Sequence, residues 1–239
     1  MQLSRTLAIL LIPCALVTAC AKQDDNLGQG LSSSSSSESS KAETREELEQ
    51  RAKSGDENAQ FNLGALYYNG EGVERNLALA KQWFEKASAL GEVFATFNLG
   101  VMYYAGEGVK QDLAKARALF EKAAAAGNER AQFNLGALYY GGEGVKQDFA
   151  KAKELFLQSA KKGFGEAQFN LGVMEAKGEA GDVRIEQAYA WFVLAKEGGH
   201  ERAQEAIDSI ESALSTDELK TARDFAETLR KELRKTMPQ

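Results

Sequence analysis

The chain has 239 residues, with 29 Lys and Arg against 35 Asp and Glu and a formal net charge of −6. Charges of both signs are interleaved along it, which argues for a solvated surface and against nucleic acid or an anionic lipid surface as partner. Its two prolines are Pro13 and Pro238, so none interrupts the body between them and an all-helical fold is favoured.

Arg5 gives a short positive region, and Leu7 to Val17 form an apolar run too short to cross a bilayer as a helix. The run closes on Leu16-Val17-Thr18-Ala19-Cys20. This resembles the lipobox of bacterial lipoproteins, where the leader is cut before the cysteine and the thiol is diacylated. The alternative is an ordinary secretory leader with an incidental cysteine. The resemblance implies a signal peptide over 1–19, a lipid on Cys20 and stable membrane attachment through two or three acyl chains. The next residue is Ala21, not Asp. In Gram-negative lipoproteins that difference implies the outer membrane, with the body in the periplasm or at the cell surface. Cys14 would leave with the leader and Cys20 carry the lipid, so no disulfide is expected in the mature chain.

Residues 20–42 read as a linker. Ser32 to Ser40 is serine interrupted only by Glu38. Such composition cannot bury enough apolar surface to order itself. At roughly 22 residues it would reach about 25 Å as a flexible coil.

From there the chain repeats itself. The run Ala131-Gln132-Phe133-Asn134-Leu135-Gly136-Ala137-Leu138-Tyr139-Tyr140 reappears in near-identical form at Ala59, Ala95 and Ala167, a period of 36 residues without insertion or deletion. A fixed period of this size is the signature of a solenoid of stacked supersecondary units. Each unit predicts two helices. Helix A covers about 58–69, with equivalents at 94–105, 130–141 and 166–177. Its mid-helix glycine, at Gly64, Gly100, Gly136 and Gly172, costs about 1 kcal/mol against alanine. Four copies of that cost imply a neighbouring helix too close for a Cβ. The loop Gly70-Glu71-Gly72-Val73 recurs at Gly106 and Gly142, and its paired glycines suit a turn with positive φ. A phosphate-cradling reading lacks both a preceding strand and a Walker pattern. The valine is expected to plug the loop into the core. Helix B follows, with Asp112 and Asp148 as N-caps and Ala116, Leu119, Phe120 and Ala123 as its apolar face. Gly91, Gly127, Gly163 and Gly199 close the units.

These residues together resemble the Sel1-like repeat, an α-solenoid family related to tetratricopeptide repeats. The resemblance implies an all-α, right-handed solenoid of stacked helix-turn-helix repeats over 43–202, with units near 59–94, 95–130, 131–166 and 167–202 and an N-terminal half-repeat at 43–58. Capping helices follow at 203–239, the last opened by a Ser215–Glu218 capping box. The fourth copy departs from the pattern: Glu175-Ala176 replaces the tyrosine pair and Ala180-Gly181 replaces Gly-Val.

Carried over from tetratricopeptide repeats, the residue before Leu-Gly and the second tyrosine would face a concave groove that takes a protein or peptide partner. Those residues are Asn62, Asn98, Asn134 and Asn170, with Tyr68, Tyr104 and Tyr140. The asparagines have a second reading as inter-repeat hydrogen bonders, since asparagine is a poor mid-helix residue and needs a reason to recur. Variable positions Asn58, Phe94, Arg130 and Glu166 would set specificity. With His200 as the single histidine and no free thiol expected, the chain lacks the parts for zinc or histidine- or cysteine-based hydrolysis. No cofactor, metal or enzyme activity is expected, and no oligomeric state is encoded. The family resemblance implies a membrane-anchored protein-interaction adaptor of the cell envelope. Its rivals are an immunity protein against a secreted toxic lipase and an envelope enzyme of the penicillin-binding or β-lactam-hydrolysing kind.

Overall fold

A computed structural model describes residues 44–236. The leader, Cys20 and the serine linker lie outside the described residues. Every regular element among the described residues is an α-helix: α1 (Arg45–Ser54), α2 (Glu57–Asn69), α3 (Leu77–Leu90), α4 (Val93–Ala105), α5 (Leu113–Ala125), α6 (Glu129–Gly141), α7 (Phe149–Ala160), α8 (Gly165–Lys177), α9 (Ile185–Glu197), α10 (Ala203–Ala213) and α11 (Thr216–Thr236). No helix among the described residues is long and apolar enough to cross a membrane. The chain divides into two compact units at residue 131, inside α6.

The helices start where side chains can accept their orphan amide protons. Thr44 and Glu47 form a reciprocal capping box on α1. Asp56, Asn76, Asp112 and Asp148 accept from Ala59, Leu79, Lys115 and Lys151 at 2.8–3.0 Å. Glu92 does the same for Ala95 and Asn128 for Ala131. Ser215 and Glu218 cap α11 reciprocally. The loop glycines hold positive φ, 77° at Gly70 and 70° at Gly72. The loop valines are half-buried, and Val109 packs against the cluster of Phe61, Phe84 and Met102.

In the N-terminal unit α2 pairs with α3 and α4 with α5. In the C-terminal unit α6 pairs with α7 through Gly136, and α8 pairs with α9. One contact defines every pair. A Cβ on Gly64 would lie 2.6 Å from the Phe84 ring, on Gly100 2.6 Å from Phe120, on Gly136 2.8 Å from Phe156 and on Gly172 2.6 Å from Phe192. All four phenylalanines are almost wholly buried. Each glycine is therefore the socket for the phenylalanine of its own repeat, and the propensity cost is returned as helix–helix contact. Helix A's own phenylalanine leans on the same ring: Phe61 on Phe84, Phe97 on Phe120, Phe133 on Phe156 and Phe169 on Phe192, with centroids 5.2–5.9 Å apart.

The C-terminal unit ends differently. Helix α11 packs on α9 and adds Ala222 and Ala226 to the cluster of Phe169, Phe192, Ile207 and Ile210. Arg223 bonds Glu211 of α10 at 2.9 Å, and Arg230 is clasped by Glu197 of α9.

Candidate functional site

The residues expected to line a groove all lie on helix A, the asparagine six positions before the tyrosine in the first three repeats. Asn98, Asn134 and Asn170 are 3 %, 5 % and 1 % exposed, whereas Asn62 in the first repeat is half-buried. Burial of an amide demands protein partners, so three of the four side chains offer a bound peptide very little as the structure stands.

The second tyrosines have a visible job. Tyr68 is buried, and its hydroxyl donates to Glu107 in the loop of the following repeat at 2.5 Å. Tyr140 does the same to Glu179 at 2.7 Å. Each bond spans 39 residues, one repeat plus three. A side chain from the same repeat's own loop then caps helix A: Arg75 donates to the Tyr68 carbonyl, Gln111 to that of Tyr104 and Gln147 to that of Tyr140, at 2.8–2.9 Å. Tyr104 itself is half-buried. The first tyrosine is also engaged in the second repeat, where Lys115 donates to the Tyr103 hydroxyl at 2.6 Å.

A further set of structural residues escaped the sequence reading. Gln60 and Gln168, near the start of helix A, donate to the carbonyls of Ala52 and Ala160, eight residues back at the end of the preceding helix B. At the junction of the first and second repeats Thr96 replaces the glutamine and Ser88 replaces the alanine. Their hydroxyls meet at 2.7 Å, and Lys122 takes over the Ser88 carbonyl at 3.0 Å. The signal was in the sequence as paired exceptions: the junction that loses the glutamine is the junction that gains the serine.

The fourth repeat departs where it has no successor. Ala176 stands at the Tyr68 position, 1 % exposed, within the cluster of Ile207, Ile210 and Ala222. Glu175 stands at the Tyr67 position, buried, with Lys153 at 2.9 Å. Ala180 holds φ 68° where the other loops have glycine. His200 stacks on Phe169 at 4.0 Å and 11°. Its Nδ1 is buried with no hydrogen-bond partner among the described residues. Burial, the largest influence, pushes its pKa below the ordinary histidine value.

Among the described residues no group of three or more His, Cys, Asp or Glu side chains is arranged to hold a metal ion. A cavity of about 200 Å³ in the C-terminal unit is lined by Gln168, Leu194, Glu197, Arg230 and Leu233. It falls below the usual 300–1,000 Å³ of small-molecule sites, and its Arg230 is already paired with Glu197 and Glu227.

The Sel1 repeat profile matches residues 58–92, 93–128, 129–164 and 165–200. A solved structure described as a protective antigen present in uropathogenic Escherichia coli strains, displaying an SLR fold, is similar at 37% identity and TM-score 0.63 over 64% of this chain and 33% of its own. A Sel1 repeat protein from Oxalobacter formigenes is similar at 32% identity and TM-score 0.63 over 69% of this chain and 47% of its own. The chain thus spans from a third to about half of the length of these neighbours. No curated protein matches it. Four consecutive matches over more than half of the residues, on helix pairs built around one glycine–phenylalanine socket, place this chain in the Sel1 repeat family of α-solenoids.

Proposed function

We propose that the chain is a non-catalytic, protein-binding adaptor of the bacterial envelope, tethered to the outer membrane through Cys20. Sel1 repeat proteins generally mediate protein–protein interactions. The observation that carries the reading here is a division of labour within the repeat. Residues that recur unchanged, such as Leu63, Gly64 and Phe84 and their equivalents, serve the inside of the fold. The position that differs in every copy, Asn58, Phe94, Arg130 and Glu166, stays exposed or half-exposed. A scaffold fixed inside and free to vary outside suits recognition of another macromolecule. Within this reading, partner contact along helix A falls on the variable residues and on the half-exposed Asn62 and Tyr104, while Asn98, Asn134 and Asn170 lie buried.

Crosslinking in intact cells followed by mass spectrometry tests this, run on the wild-type chain and on Cys20→Ser. The expected result is a reproducible protein partner and membrane fractionation for the wild type, with loss of membrane attachment in the variant. A Cys20→Ser chain that is still processed and membrane-bound would refute the anchor. Absence of any crosslinked protein would refute the adaptor. A secreted lipase as the partner would move the assignment to immunity.

A further inference from the structure

Four copies of one unit let each surface position be compared with its own equivalents. At the turn into the second repeat, Leu90 ends α3 and Phe94 lies in the first turn of α4. They are 53 % and 40 % exposed. The residues at the Leu90 position elsewhere are Ser54, Ala126, Lys162 and Gly198, and those at the Phe94 position are Asn58, Arg130, Glu166 and Arg202. The repeat therefore folds without a large apolar side chain at either place, and only this copy puts both in water.

The surroundings make the pair a prepared surface. The turn between them is open, since a Cβ on Gly91 would meet nothing within 4 Å. The Phe94 ring rests on Phe61 at 6.1 Å, and Phe61 rests on the buried Phe84 at 5.9 Å. An aromatic ring held on a rigid floor loses little freedom when covered. Two carboxylates stand near the pair: Glu92, half-buried in the turn between Leu90 and Phe94 and capping α4 through the Ala95 amide, and the exposed Glu57, one helical turn before the Phe61 that supports Phe94. Burial is the main cause of Glu92's raised pKa, and the nearby charge of Glu57 adds to it. Neither has an ion-pair partner among the described residues. The Lys122 ammonium is committed to the Ser88 carbonyl, two residues before Leu90.

We infer that Leu90, Phe94, Glu57 and Glu92 form a docking site for a segment of a partner protein that presents a large apolar side chain beside a lysine or arginine. This rests on the protein-binding reading above. The apolar side chain covers Phe94 and Leu90, removing from water the exposed surface that the fold itself leaves uncovered. The cation sits against Glu57 and Glu92, relieves their mutual repulsion and fixes the direction of the segment.

Two fluorescein-labelled dodecapeptides with a shared Leu-Phe centre serve as probes, one flanked by lysines and the other by glutamates. Fluorescence anisotropy on the full chain should show the lysine peptide binding at least ten-fold more tightly. The double variant Leu90→Ser, Phe94→Asn uses residues that the first repeat already carries there. It should melt with the wild type and lose at least ten-fold in affinity, and Glu57→Gln should lose about three-fold. Equal binding of the two peptides, or undiminished binding by the double variant, overturns the site. A wild-type dimer in light scattering that the double variant lacks also overturns it, by giving the patch to a second copy of the chain. In-cell crosslinking separates this failure from failure of the function. Equal partner recovery by wild type and double variant leaves the protein-binding reading standing and refutes the docking site, whereas no partner from either refutes the reading itself.

Discussion

Gly136→Val tests the glycine–phenylalanine socket that organises every repeat. The first added carbon would sit 2.8 and 2.9 Å from two atoms of the Phe156 ring and 3.3 Å from the Leu155 Cβ, where ordinary contact begins near 3.4 Å. The ring has little room to retreat. It is fully buried and is pressed from other sides by Phe133 at 5.5 Å and Tyr140 at 6.5 Å. Overpacking of this kind costs about 1–3 kcal/mol, more for a branched side chain with one preferred rotamer. Valine recovers only about 0.3–0.5 kcal/mol of glycine's helix-propensity deficit. The net loss is on the order of 1–3 kcal/mol, or about 2–12 °C in melting temperature for a chain of this size. Differential scanning calorimetry measures it. A second substitution, Phe156→Leu, shortens the opposing ring, so the pair together should lose less than the sum of the two alone. A melt that is unchanged or raised by Gly136→Val, or strict additivity in the pair, would refute the socket.

Three further outcomes follow from the fourth repeat and its neighbours. Ala180→Gly should stabilise the protein by about 0.5–1 kcal/mol in denaturant melts, because relief of a left-handed backbone at φ 68° exceeds the added freedom of the unfolded chain; a loss of stability would refute it. Tyr140→Phe should cost about 1–2 kcal/mol by removing the bond to Glu179, with little change in the helix itself; an unchanged midpoint would deny the bond a structural role. The folded pKa of His200 lies below the ordinary value of 6.5, mainly through burial, with Arg202 acting in the same sense and Glu166 and Glu201 opposing. Above the unfolded value both states are neutral and the group contributes nothing to pH dependence. As pH falls below about 6.5 the unfolded chain takes up the proton first, so stability declines until pH passes the lower folded value. His200→Phe keeps a ring on Phe169 and should flatten that decline, and equal slopes from pH 7 to 5 in the two proteins would exclude His200 as its source.

The fold was legible because the repeat states it four times. One glycine in a helix is ambiguous, but the same glycine at Gly64, Gly100, Gly136 and Gly172 has to be paired with something, and Phe84, Phe120, Phe156 and Phe192 recur at the matching place. The caps at Asp112 and Asp148 and the box at Ser215 and Glu218 were equally readable, since the chemistry is local. The site residues were harder for the same reason that the fold was easy. Recurrence marks what a repeat needs, and both a groove and an inter-repeat strut are repeated. Only coordinates show the Tyr68 hydroxyl reaching Glu107 and the Asn98 amide closed off from water.

The departures at the two ends follow from the strut rather than from loss of the pattern. A tyrosine at the end of helix A needs the loop acid of the next repeat, and a loop acid needs the tyrosine of the one before. Glu71 belongs to the first loop and has no preceding repeat to serve; it bonds instead to Asn69 at 2.8 Å, at a position that is Ala105, Gly141 and Lys177 in the other copies. Glu179 in the last loop still receives Tyr140 and is retained. The last helix A has no following Gly-Glu-Gly loop to reach, and a tyrosine there would bury a hydroxyl among Ile207, Ile210 and Ala222. Burying that group without a partner costs about 1–3 kcal/mol, and the chain carries Ala176 instead. The fourth loop also carries Ala180 at the second loop glycine and Val183 at the capping glutamine, two positions that take no part in the strut. The loss of the second tyrosine after Met174 is therefore the boundary condition of a finite array: its acceptor would have lain in the loop of a repeat that is not there.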